Sequence, residues 1–188
     1  RREAQITAQL QNPGIVPIHD LGKNVDGESF FTMKEIQGSE LQDVIQSVHD
    51  ISNSGSWAKT VDGWSLRRLI VSFYTICQTM AYSHKQGIIH SDLKPSNIMV
   101  GSFNEVLIVD WGIARRQSES HSGGIYGSPS YMAPEQARGE RITILSDIYS
   151  LGGILYQILN CEAPITSPNI FQTLRIVQSE SPELIMEW

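Results

Sequence analysis

The sequence predicts an α+β fold, a small mixed part followed by a larger and mostly helical part. Three observations carry this. Two short β-type runs, Ile15–Leu21 and Ser29–Ile36, lie near the start, between one helix-favouring stretch and the next. Two helical patterns, from Ser65 and from about Ser146, dominate the second half. Between them sits one apolar hairpin pattern. The order is helix, a few strands, then many helices with a hairpin between them, which suggests a small mixed part and a larger helical part. With 188 residues the chain can bury one real core, and it shows no internal repeats.

Residues 1–10, RREAQITAQL, favour a helix that stops at the breaker Asn12-Pro13-Gly14. The two β-type runs follow, split by Gly22 and the turn-like Asp26-Gly27. After Gly38 the pattern predicts a helix from about Glu40 to Val48, then a polar loop from Asp50 to Gly63. From Ser65, the residues Leu66, Leu69, Ile70, Phe73, Cys77, Met80 and Ala81 recur at steps of three and four and define one apolar face. Gly87 supplies the end of that helix. Residues 97–100 and 105–109 flank a Gly-Ser-Phe-Asn turn and read as a hairpin. The chain is then polar and irregular to about Tyr131. The helix from about Ser146 to Leu159 has so little polar surface that burial nearly all round is expected.

Composition narrows the functional classes. A net charge of −6, dispersed along the chain, gives no basic field for nucleic acid or an anionic membrane surface. No apolar run reaches the roughly 18–20 residues of a spanning helix, and no signal peptide is recognisable. The expectation is a cytoplasmic segment without membrane contact, within a protein that could be anchored elsewhere. Cys77 and Cys161 lack the spacing of a metal or disulfide pair and read as buried free thiols. The first residue is Arg and helical sequence begins at once, which reads as a fragment.

The chemistry concentrates in His90-Ser91-Asp92-Leu93-Lys94-Pro95-Ser96-Asn97 and in Asp110-Trp111-Gly112. In an extended loop Asp92 and Lys94 project the same way, so a proton acceptor sits beside a fixed positive charge. Asn97 and Asp110 close the outer ends of a short hairpin and can converge on one point. Their amide and carboxylate oxygens are hard ligands of the kind Mg²⁺ takes alongside phosphate oxygens. Base, cation and metal ligands together suit phosphoryl transfer, where the protein positions groups and neutralises charge. Taken singly, Asp92 fits an Asx turn or helix cap, Asp147 a helix N-cap, and His19 and His84 structural or surface roles.

These runs resemble the signature set of protein kinases, namely the HRDLKxxN catalytic loop and the DFG metal loop. Met132-Ala133-Pro134-Glu135 resembles the APE motif, preceded by Gly127-Ser128-Pro129-Ser130-Tyr131, and Asp147–Gly152 resembles the start of the central helix. Arg2-Glu3-Ala4 resembles the αC segment, and Phe31–Gly38 the strand entering the hinge. The resemblance covers essentially the whole chain and is nearest to bacterial serine/threonine kinases of eukaryotic type. It implies a two-lobe fold, with residues 1–38 as a partial small lobe (αC-like helix, two strands, hinge) and 39–188 as a large lobe lacking its last helices. It also implies ATP and Mg²⁺ as cofactors and a Ser/Thr-bearing protein as substrate. Asp92 would accept or orient the substrate hydroxyl's proton, Lys94 would stabilise the transferring phosphoryl, and Asn97 and Asp110 would hold Mg²⁺. Glu3 would pair with a strand lysine. Met33 would be the gatekeeper, Lys34, Glu35 and Ile36 would offer hinge backbone groups to adenine, Asp43 would reach the ribose, and Met99 would join the nucleotide side. His90 and Trp111 would be packed structural residues. Lys94 and Ser128 follow the serine/threonine pattern.

Three departures from the family pattern matter. No Gly-rich loop or strand lysine precedes Glu3, so little or no activity is expected of these 188 residues by themselves. The Arg that pairs with the APE Glu is also missing, so Glu135 should be under-paired and the large lobe should expose apolar surface and be poorly stable. A pseudokinase, binding without phosphoryl transfer, is the rival reading. The presence of Asp92, Lys94, Asn97 and Asp110 argues against it, and the intact peptide-docking segment argues against a small-molecule kinase. Third, Ser91 stands where the family often has the Arg that receives a loop phosphate. Activity should therefore not depend on phosphorylation of the loop. Alanine at Ser118, Ser120 and Ser122 together should leave peptide phosphorylation by the full-length protein within about twofold; a tenfold loss would refute this.

Overall fold

The computed structural model describes residues 6–52, 56–118 and 124–179. Glu3, Ser120, Ser122 and Trp188 lie outside the described residues. Ile6 and Thr7 end the first helical stretch, and a turn leads through Asn12-Pro13-Gly14. This turn sits tightly on the following domain core. A Cβ on Gly14 would lie 2.2 Å from Thr79 Oγ1, so only glycine lets the backbone approach that closely.

Strands β1 (Ile18–Lys23) and β2 (Ser29–Met33) form an antiparallel hairpin around the Asp26-Gly27 turn. A second sheet has the order β3-β5-β6, with β3 Ser39–Glu40, β5 Ile98–Val100 and β6 Val106–Ile108. A third pairs β4 (Ile88–Ile89) with β7 (Arg115–Arg116). The first segment joins the second sheet through a parallel bridge from Ile15 to Ile108.

Helices α1 (Leu41–Asp50), α2 (Leu66–Lys85), α3 (Pro134–Ala137), α4 (Ile144–Asn160) and α5 (Ile170–Ser179) make up the larger part. Ser65 caps α2 by accepting from the Arg68 N–H. The main core gathers Leu41, Ile45, Leu69, Ile76, Met80, Leu93, Ile98, Ile108, Ile154 and Ile158. A smaller cluster, Met132, Ala137, Ile165 and Val177, packs α3 against α5.

Two expectations about helix faces need correction. On α2 the buried stripe is Leu69, Ser72, Ile76, Thr79, Met80 and Ser83, while Ile70 and Ala81 are exposed. Small hydroxyl residues lie inward because backbone comes close there. Thr79 meets Gly14, and the Ser83 hydroxyl donates to the Ile88 carbonyl at 2.9 Å. Helix α4 is not buried all round. Ser150, Leu151, Ile154 and Ile158 face the core, whereas Leu145, Ile148 and Leu159 are exposed, at 65%, 51% and 44%. Nor are the thiols fully buried. Both cysteines are half-buried and free, and Cys161 ends α4 in a left-handed conformation.

Helix α4 starts at Ile144, earlier than the apolar pattern suggests, because Thr143 is its N-cap. Thr143 and Ser146 form a reciprocal capping box. Ser146 also donates its hydroxyl to Glu135 Oε1 at 2.5 Å, which gives that carboxylate a partner. Thr143→Ala should destabilise the chain by about 1 kcal/mol, and Ile154→Ala, at a fully buried site, by about 2–5 kcal/mol. Urea unfolding followed by circular dichroism would show the two effects; a larger loss at Thr143 than at Ile154 would contradict this picture.

Candidate active site

The loop 90–97 runs from β4 to β5 and closes with a 3₁₀ turn over Pro95–Asn97. His90 and Leu93 point into the core, at 0% and 1% exposure, which leaves Asp92 and Lys94 on the open side. One buried carboxylate fixes the start of this loop. Asp147 accepts the backbone N–H groups of His90 and Ser91, each at 2.9 Å, and the Nε2–H of His84 at 2.7 Å. The Asp147 side chain is 1% exposed, so these donors replace water. With Thr143 capping the helix, the task of Asp147 is to hold the loop.

Asp92 lies at the meeting point of three segments. Its Oδ1 accepts from the Ser128 N–H at 2.8 Å. Its Oδ2 accepts from Asn97 Nδ2 at 3.2 Å and lies 3.6 Å from Lys94 Nζ. Lys94 in turn donates to the Ser128 hydroxyl at 2.8 Å. The expected pairing of acceptor and cation is present, and Ser128 ties it to the segment beyond the metal-loop motif.

Asn97 Nδ2 also donates to the Asp92 carbonyl at 2.9 Å. Both acceptors take the amide's nitrogen, which leaves its oxygen free for a cation. The Asn97 carbonyl accepts from the Val109 N–H at 2.9 Å, so the hairpin sets Asn97 beside the residue that precedes Asp110. Asp110 is exposed and left-handed, with φ 60°, a conformation that Asp tolerates better than most residues. Among the described residues, no group of three or more His, Cys, Asp or Glu is arranged around a metal. The amide oxygen of Asn97 and the carboxylate of Asp110 are hard donors of the kind that Mg²⁺ takes alongside phosphate oxygens and water.

His90 has one possible proton arrangement. Its Nδ1 accepts from the Asp92 N–H at 3.2 Å, so Nε2 carries the hydrogen and donates to the Val109 carbonyl at 3.1 Å. Trp111 packs on this ring, 4.6 Å between centroids, and donates its Nε1–H to the Ile108 carbonyl. Complete burial lowers the imidazole's proton affinity, a larger effect than the pull of Asp147, Asp92 and Asp110.

The residues assigned to a nucleotide are more scattered. Met33 ends β2 opposite Ile18 and is half exposed; Glu35 is exposed and Ile36 half-buried. Met99 lies on β5 between Glu40 and Leu107, which sets it near the start of α1, where Asp43 is exposed in the first turn. A cleft of about 640 Å³ opens beside Ile36, walled by Leu10, Pro13, Val16 and Leu107. Among the described residues its lining holds no carboxylate and none of Asp92, Lys94, Asn97 or Asp110, so it is separate from this site.

A family model described as protein kinase domain matches residues 1–186. The chain belongs to the protein kinase domain family. The kinase domain is 38% identical over 185 residues to serine/threonine-protein kinase PknD of Protochlamydia amoebophila, covering 87% of this chain and 18% of that protein. It is 37% identical over 172 residues to serine/threonine-protein kinase PknB of Mycolicibacterium smegmatis, covering 87% of this chain and 25% of that protein. With serine/threonine-protein kinase PknB of Mycobacterium tuberculosis it shares 35% over 174 residues, covering 88% of this chain and 26% of that protein. The kinase domain thus spans between about a fifth and about a quarter of the length of these relatives. The resemblance read from the motifs and the α+β fold class both stand.

Of the structural and surface roles open to His84, the structure shows the structural one, since it donates to Asp147. One residue has no signal in the sequence: Gln136, which follows Pro-Glu in α3, is buried and donates its amide to the carbonyls of Ser91 and Tyr126. It lies in no periodic pattern and in no motif centred on charge.

The lowered affinity of His90 has a pH consequence. Between its lowered folded value and about 6.5, the unfolded chain takes up a proton that the folded chain refuses. The contribution of His90 to stability is therefore full above about pH 6.5 and lost as pH falls toward the folded value, with a slope of at most ~1.4 kcal/mol per pH unit. His90→Gln should flatten this acid limb in urea titrations across about pH 5 to 7.5; an unchanged slope would exclude His90 as its source.

Proposed function

We propose that this chain is catalytic machinery of a serine/threonine protein kinase that transfers the ATP γ-phosphoryl group to a Ser or Thr hydroxyl of a protein. The observation that carries the proposal is the convergence of Asp92, Lys94, Asn97 and Ser128 through the hydrogen bonds described above, with Asp110 at the adjoining hairpin end. The names of the relatives support the choice of hydroxyl substrate.

Asp92 would receive the hydroxyl's hydrogen bond on the open side of its carboxylate and take its proton as the hydroxyl oxygen bonds to the γ-phosphorus and the bond to the bridging oxygen breaks, with ADP leaving. The Ser128 N–H and Asn97 amide hold that carboxylate in one orientation, so the substrate meets a base already aimed. Lys94 places its ammonium 3.6 Å from the same carboxylate, where it can face negative charge on the phosphoryl oxygens. Asn97 and Asp110 would hold Mg²⁺ by oxygen. When bound, Mg²⁺ and ATP supply the transferable group and neutralise its charge.

Asp92→Asn in the full-length protein should lower kcat by about 10²–10⁴-fold while the KM for ATP changes little, because the amide keeps the shape and loses the base. Steady-state transfer to a Ser-containing peptide would measure this. Full activity in the variant would remove Asp92 from the mechanism.

A further inference from the structure

We propose that Gln136 is a positioning residue that sets the reactive geometry of Asp92, acting through the carbonyls of Ser91 and Tyr126. The inference rests on the kinase reading of Asp92 above. Gln136 is 5% exposed, and its single NH₂ group donates to Ser91 O at 2.6 Å and to Tyr126 O at 2.7 Å. Both hydrogens are used, one on each of two segments distant in sequence. The residue after Ser91 is Asp92. Two residues after Tyr126 comes Ser128, whose N–H orients the Asp92 carboxylate. The amide therefore spans the joint across which Asp92 is aligned.

The packing between these segments leaves no slack. A Cβ on Gly127 would lie 2.9 Å from Gln136 Nε2, 3.0 Å from Ser91 O and 3.5 Å from Asp92 Oδ1. Ser91 adopts φ 72°, which turns its carbonyl to Gln136 in a conformation unfavourable for a residue with a Cβ. Its own hydroxyl is buried and has no hydrogen-bond partner among the described residues, so the side chain does not hold the turn. The Gln136 contact to its carbonyl does, together with Asp147 on its N–H. A neutral amide thus links the catalytic loop to the segment over it, and a link of this kind needs no added charge and is little screened by salt.

The test uses the full-length protein with Gln136→Met, which keeps bulk without donors, and Gln136→Glu, which presents a carboxylate to two carbonyls. Each should lower kcat roughly 10- to 100-fold with the KM for ATP within about twofold, as expected for misplacement near 1 Å. Hydrogen exchange of the peptide containing Ser128 should accelerate in both. Adding Ser91→Gly to Gln136→Met should recover part of kcat, because glycine enters the left-handed turn without the strain that serine carries there, although it does not confine the loop to it. Unchanged kcat and unchanged exchange would overturn the proposal. So would a loss of kcat that only tracks a fall in melting temperature and is not relieved by Ser91→Gly. If one variant fails to fold, the other is read alone; if both fail, Gln136 is a folding residue and the proposal falls. If the wild-type protein transfers no phosphate, the kinase reading fails separately. Exchange at Ser128 then decides for Gln136, acceleration supporting the link and no change refuting it.

Discussion

The carboxylate of Asp147 is the constraint on which the site depends. Burying such a group costs several kcal/mol unless donors replace water. Here three do: two consecutive backbone N–H groups from the loop and one imidazole N–H. The carboxylate also lies in the first turn of α4, where the helix dipole favours negative charge. The arrangement couples the two sides. Asp147 is tolerable in the core only if the loop comes to it, and the loop has a defined start only because Asp147 is there.

From that point order spreads through short steps. The backbone at His90 is pinned, so its ring is directed at the Val109 carbonyl, one residue before Asp110. Pinning Ser91 places Asp92 next. The same helix organises the segment that covers the loop. Ser150 of α4 donates to the Tyr131 carbonyl at 2.8 Å, the Tyr131 hydroxyl donates to Gln157 of α4, and Ser146 holds Glu135. Helix α4 is thus the common support for Asp92, Asp110 and the covering segment. Their relative positions are set by a rigid element, which is what preorganised catalysis requires.

The parts of this that the sequence shows are those with local causes. The Asp92-x-Lys94 projection, the hairpin joining Asn97 to Asp110, the Ser65 cap and the end of α2 near Gly87 each follow from the residues within one or two turns. On α2, Leu69 and Met80 are buried and Leu66, Phe73 and Cys77 pack on the core, but apolarity does not mark burial at Ile70 and Ala81. Thr79 and Ser83 lie inward since backbone from Gly14 and Ile88 comes near, and no pattern in 65–87 records that. The exposed Leu145 and Ile148 show the reverse error. Gln136 is illegible for a related reason. A lone amide acquires meaning only when two remote carbonyls are brought to it, and both are main-chain groups that carry no residue-type signal.

Ser91 and Asp110 are non-glycine residues with positive φ, at 72° and 60°, one on each side of the loop–hairpin unit. Such conformations cost of order 1–3 kcal/mol each and persist where surroundings over-determine them. The two cases differ in what sustains them. At Asp110 the side chain is the proposed Mg²⁺ ligand, so glycine would relieve the strain but remove that carboxylate. At Ser91 the hydroxyl makes no hydrogen bond, and glycine would fit the backbone better. A glycine there would also free the unheld loop to sample other turns. Serine confines the backbone to fewer conformations and leaves the choice of the left-handed one to Asp147 on its N–H and Gln136 on its carbonyl. The alignment of Asp92 then depends on tertiary contacts rather than on the loop's own preference, so the loop is set only when the helix and the covering segment are both in place.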